Sequence, residues 1–237
     1  MSASPEAWID FHWHPVQCRI PADWEQLTYS LDPTHGRFEF ANREAVQAVL
    51  RRCPASRKEQ KDPDIPCIGN ERWFWEIPEG SNQSADELQQ HLQSQKSSTW
   101  HRFDLHGIPA RVPAGFHPVQ AEVFPANVML ACEGSDGSRA VYRRWGLPDT
   151  VLAGKDEESF HRSLLQQLRF RVEERVEGGH HRFSCRGLLP VRRMLLQRAE
   201  GHAWIWREDE GYRLCTLEYL SHSRENRPSK KELWHAR

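Results

Sequence analysis

Residues 9–15 read IDFHWHP, with two histidines two positions apart. Side chains alternate between the faces of a strand, so His12 and His14 point the same way, as two imidazole ligands to one metal must. His180, His181 and Cys185 make a second group of metal-type ligands. Neighbours on a strand face opposite ways, and no C-x2-C or H-x3-5-H spacing completes a zinc site there, so these read as solvated histidines ahead of a strand. Nucleophilic chemistry has less support. No G-x-S-x-G is present, EGSDGS at 133–138 carries the glycines of a hairpin turn rather than a phosphate cradle, and the acidic run REDEG at 207–211 suits a turn.

Arginine and tryptophan supply the groups for recognition. Arginine pairs recur at 51–52, 143–144 and 192–193. Within a strand one member of each pair faces each side, and a buried one needs a carboxylate. Arg52 and Arg144 are the candidates for anion binding. Ten tryptophans are several-fold more than a chain of 237 residues ordinarily carries, and two pairs are spaced W-x-W: Trp73 with Trp75, and Trp204 with Trp206. Period-two spacing puts both rings of a pair on one face, either as the floor of a core or as a platform for a sugar, a peptide or another protein.

The I-D-x-H-x-H of residues 9–14 resembles the segment that opens the metal-dependent amidohydrolases. That resemblance implies a metal-dependent hydrolase using His12 and His14. The family sets this motif at the end of an apolar first strand in a long alternating α/β chain. Here MSASPEAW precedes it, and only two strong helix patterns follow.

Composition narrows the classes further. Net charge is −1, so no global field draws the chain to nucleic acid or to an acidic membrane. Of 32 basic residues 26 are arginine, a skew that genomic base composition explains as well as function does. No apolar run approaches the ~18 residues of a membrane span, and the first residues lack the charged and apolar parts of a secretory signal. Six scattered cysteines read as reduced, mostly buried thiols, and the address they suggest is cytoplasmic.

The elements that hold these residues come in a repeat. RIPADW at 19–24 returns as RVPAGF at 111–116, and AVLRRC at 48–53 as AVYRRW at 140–145, both 92 residues on. HRFDLHG at 101–107 returns as HRFSCRG at 181–187 after a shorter loop and a longer helix. HPVQ also occurs twice, at 14 and 117, in a conflicting register that reads as chance. Each copy begins with a turn in which Pro21 and Trp24, or Pro113 and Phe116, fix the chain. Strand patterns follow at 36–41 and 128–133. A helix is predicted over 84–96, opened by Ser84 and Glu87 at capping-box spacing, and another over 156–177 with apolar residues four apart. RRMLLQRA, HAWIWRE and YRLCTLEYL read as three closing strands.

The predicted fold class is α+β: two tandem β-rich lobes from an internal duplication, each an antiparallel sheet with one packed helix. Its strand-strand-helix-strand order resembles the Mog1/PsbP-like fold. The parts are an extension at 1–10, lobe 1 at 11–107, lobe 2 at 108–220 with extra strands, and a loose polar tail at 221–237. The functional expectation is a non-enzymatic binding or accessory protein, without a cofactor, meeting a protein partner through Trp73, Trp75, Trp204, Trp206, Arg52 and Arg144. The alternative is the metal-dependent hydrolase of His12 and His14.

Overall fold

A computed structural model describes residues 7–32, 35–61, 67–81, 83–95, 99–167, 171–177, 180–190, 196–208, 212–222 and 228–234, with backbone alone over 166–198 except at Ser184. The protein is β-rich, mostly antiparallel sheet with a few short helices. It divides into two compact units, Met1–Gly107 and Ile108–Arg237. No described helix is long and apolar enough to cross a membrane.

The first unit runs β1 (Trp8–Trp13), β2 (Val16–Pro21), β3 (Glu25–Thr28), β4 (Gly36–Ala41), β5 (Val46–Pro54), a 3-10 turn at Glu59–Lys61, β6 (Cys67–Ile68), β7 (Glu71–Glu76), α1 (Ala85–Gln90), β8 (Gln93–Ser94) and β9 (Trp100–Leu105). Strands β9-β1-β2-β8 form one sheet and β3-β4-β5-β7-β6 another. Alternation along the strands decides what lies between them. Phe11 and Trp13 of β1 meet Phe38 and Phe40 of β4, with Phe11 edge-on to Phe40 at 5.0 Å and Trp13 tilted on Phe38 at 5.0 Å. Trp73 and Trp75 of β7 close the cluster, 6.2 Å from Phe38 and 5.6 Å from Phe40. Both are buried. The first W-x-W therefore floors a core and offers no platform.

The second unit runs β10 (Ile108–Pro113), β11 (His117–Phe124), β12 (Asn127–Glu133), β13 (Arg139–Gly146), α2 (Pro148–Leu152), α3 (Glu157–Gln167), β14 (Arg171–Glu177), β15 (His180–Pro190), β16 (Leu196–Glu208), β17 (Arg213–Ser221) and α4 (Lys230–Leu233). Its sheet is antiparallel throughout, ordered β11-β12-β13-β17-β16-β15-β14. On one face Trp145, Ala203, Ile205, Leu214 and Leu220 pack with Leu152 of α2 and Leu165 of α3. On the other, the Tyr142 hydroxyl donates to the Arg111 carbonyl of β10 at 2.8 Å, and Trp206 meets Trp234 edge-on at 4.8 Å. Trp204 and Trp206 are buried as well.

Four elements differ from the sequence reading. Ser84 does cap α1, accepting from the Glu87 N–H at 3.1 Å, but the helix ends at Gln90. Gln95 explains the stop. Its amide donates to the carbonyls of Val16 and Arg102 at 2.9 and 3.0 Å and accepts from the Arg102 N–H, which holds the chain extended after the helix. The pattern over 156–177 splits into α3 and β14, because a spacing of four is even and shares a strand face as readily as a helix face. Leu196 to Ala199 and HAWIWRE form one strand, β16. Ser229–Trp234 packs despite its polar composition: Leu233 and Trp234 are buried, Trp234 bridges to Ala110, and Glu232 closes a capping box on Ser229.

Gly201 of β16 faces Leu220 of β17, and a Cβ built there lies 1.8 Å from the Tyr219 carbonyl oxygen. Backbone cannot yield as a flexible side chain does, so Gly201→Ala must push two central strands apart. The expected loss is about 2–3 kcal/mol of folding free energy, seen as a lower thermal midpoint. An unchanged midpoint would contradict this close approach.

Candidate functional site

The face of β1 and β2 turned away from the aromatic core is polar. In-register pairing sets Asp104 of β9 opposite His12 of β1, His12 opposite Gln17 of β2, and Gln17 opposite Gln93 of β8. One row of polar side chains thus crosses four strands, and Asp10 and Arg19 form part of the next. An open cleft of about 160 Å³ lies over Asp10, His12, Gln17, Arg19 and Gln93, with His91 at its side.

Asp104 orders the floor of this cleft. Its Oδ2 accepts from the His12 backbone N–H at 2.9 Å and lies 3.0 Å from His12 Nδ1. Both residues are buried, His12 at 5% exposure and Asp104 at 3%. The ring contact through Nδ1 leaves Nε2 on the far side of the imidazole from the carboxylate. That Nε2 has no hydrogen-bond partner among the described residues. Above the floor the groups are freer: the Arg19 guanidinium stands 3.9 Å from Asp10, with side chains 51% and 70% exposed.

His14 does not join His12. It lies in the β1–β2 turn, its ring stacked on His101 with centroids 3.4 Å apart. Among the described residues no three His, Cys, Asp or Glu side chains are grouped to hold a metal. Burial first, and His101 second, pull the His14 pKa down to about 4. The Cys18 thiol is buried in the strand beside the cleft. Burial pushes its pKa well up, with Asp104 and then Asp10 adding to the rise, so it stays a protonated thiol.

The arginines singled out by sequence are held in structural contacts. Arg52 donates to the Asp32 carbonyl, lies 3.6 Å from Glu71 and sits 5.6 Å over the Trp73 ring. Arg51 pairs with Glu76 at 2.6 Å. Arg144 is half-buried in β13, opposite Cys215. Arg143 pairs with Glu218, which also meets His161 of α3 at 3.3 Å. Burial alone would raise the Glu218 carboxyl, but Arg143 and His161 outweigh it and hold the group below its ordinary value. Arg192 and Arg193 lie outside the described residues, as do the side chains of His180, His181 and Cys185.

The six positions Trp73, Trp75, Trp204, Trp206, Arg52 and Arg144 are therefore not gathered into a surface, and the four tryptophans are core. Sequence reasoning missed Asp10, Asp104 and the strand pairing that seats His12. No pattern in the sequence marks that pairing, because a repeat offset aligns equivalent positions and says nothing of which residues touch across antiparallel strands. No protein-family model and no curated protein matches this chain.

The low His14 pKa has a consequence for acid stability. An unfolded histidine titrates near 6.5, above the folded value of about 4, so the unfolded chain takes up the proton first. Stability from the neutral ring is complete above about pH 6.5 and is lost as pH falls toward 4. In His101→Gln the His14 transition, followed by NMR, is expected to move up and the acid loss to shrink. A transition that stays in place would rule out His101 as a cause.

Proposed function

We propose that this is a non-enzymatic binding or accessory protein whose recognition site is the polar cleft of the first unit. One observation carries the reading: a buried imidazole, bonded through Nδ1 to a buried carboxylate, lines an open cleft with no partner for its Nε2 among the described residues. Nε2 is not among the buried atoms left without a partner, and His12 lines an open cleft, so a ligand seated there can reach the ring. The aromatic and arginine surface suggested by sequence has no part in this proposal. A cytoplasmic location remains the proposed address; the five cysteines with described side chains are free thiols, which suits a reducing compartment.

The proposal includes an internal duplication giving two lobes. In its support, β2, β3, β4 and β5 correspond to β10, β11, β12 and β13 at one offset, with Val16 against Ile108 and Gly36 against Val128. The meanders β3-β4-β5 and β11-β12-β13 share one order. The second HPVQ lies wholly in β11 while the first spans the β1–β2 turn and the start of β2, which agrees with the 92-residue register.

A second reading has one observation in its favour. A carboxylate-oriented imidazole is also the arrangement of a general base, which would act on a proton of the bound ligand. Capture of ligands from the native host by tagged protein, with mass spectrometry of the eluate, separates the two. A ligand recovered intact with wild-type protein and lost with Asp10→Ala/Arg19→Ala, at unchanged thermal midpoint, is the expected result. Retention by the double variant would remove the cleft from the proposal, and conversion of the ligand would favour the general base.

A further inference from the structure

We infer that the end of the second unit's sheet that carries Phe124 and Leu147 is a contact surface for a second copy of this chain.

Leu147 is poorly suited to its place. It sits at φ 53° and ψ 57°, in the left-handed region where a bulky side chain crowds the backbone. It is also the N-cap of α2, without a side-chain cap bond. Its carbonyl accepts from the Thr150 and Val151 N–H groups at 3.0 and 3.2 Å, so the turn needs this conformation but not this residue. Asparagine tolerates the same φ and caps as well. Packing does not compensate, because Leu147 is 67% exposed. A strained backbone beneath an exposed apolar side chain points to a use outside the folded chain.

Phe124, also exposed, is brought to the same end. Phe124 and Asn127 close a turn of two residues, in which Ala126 is left-handed as well, at φ 65°. The Gly146 N–H donates to the Ala126 carbonyl at 2.9 Å, and a Cβ on Gly146 would lie 3.5 Å from that of Ala126. That contact holds the turn against the end of β13. Phe124, Asn127 and Trp145 then form one row across three strands, with Leu147 two residues past Trp145. β11 is an edge strand, so this row starts at a border of the sheet.

A second copy fits this surface. An aromatic ring and a branched aliphatic group can meet their own copies across a two-fold axis, Phe124 of each on Leu147 of the other. The exposed Asp149 is held 3.4 Å from Arg207, so this ion pair sets no sign on a partner. A net charge of −1 puts little repulsion between copies. Two large side chains per copy make a small interface, so the association is weak, with a dissociation constant on the order of 100 µM.

The test is sedimentation equilibrium of the whole chain, from tenfold below to tenfold above that constant. A monomer–dimer equilibrium is expected. Leu147→Asn should weaken it about fivefold or more, and should raise the thermal midpoint measured where the chain is monomeric. Phe124→Thr should weaken it too, without moving the midpoint down. A monomer at every concentration would overturn the inference, as would dimerisation undiminished in both variants. A lower midpoint in Leu147→Asn would show that Leu147 serves the chain's own packing, and the inference would fall. Flotation with phosphatidylcholine vesicles, lost in Leu147→Asn, would replace the second copy with a bilayer.

Discussion

A buried carboxylate needs hydrogen bonds, and Asp104, at 3% exposure, takes two of them from His12 through one oxygen, Oδ2. The backbone N–H fixes the register of β1 against β9, and the ring contact fixes the imidazole. Alternation then does the rest. With His12 committed to one face, Phe11 and Trp13 must enter the other, where Phe38, Phe40, Trp73 and Trp75 receive them. The polar cleft and the aromatic core are two sides of one pairing register.

The second unit meets the same physical problem differently. Glu218 is also buried and also touches an imidazole, that of His161, but Arg143 neutralises it and α3 covers it. Arg143, Glu218 and His161 pair with one another, so the network ties a helix to a sheet. In the first unit the buried Asp104 carboxylate meets the His12 backbone N–H and imidazole, and that imidazole lines an open cleft. A closed ion network suits anchoring, whereas an open dyad suits recognition.

Much of the strand framework was legible from residues. GRFEFA and the AVLRRC and AVYRRW segments are strands because β-branched and aromatic residues alternate with charges over short runs. The helices were overread where a spacing of four suited both periods, at Val172 and Val176, and where Gln95 held the chain by bonds to residues distant in sequence. The site was half legible. His12 stood out by type, yet its partner lies 92 residues away, and no local pattern marks a carboxylate that only sheet pairing delivers. The tryptophans misled because W-x-W fixes a face and leaves open which side of the sheet is covered.

That 92-residue separation also sets an order of events during synthesis. The β1–β2 hairpin leaves the ribosome with its histidine unmatched, and α1 has formed its turns before β9 exists. At roughly 5–20 residues per second the wait lasts about 5–18 s. Throughout that time Phe11 and Trp13 lack the strand that flanks them, and an exposed edge of β1 is open to pairing with other nascent chains. The chain is thus at greatest risk before residue 104 emerges, and anything that binds the half-built sheet in that interval acts as its chaperone.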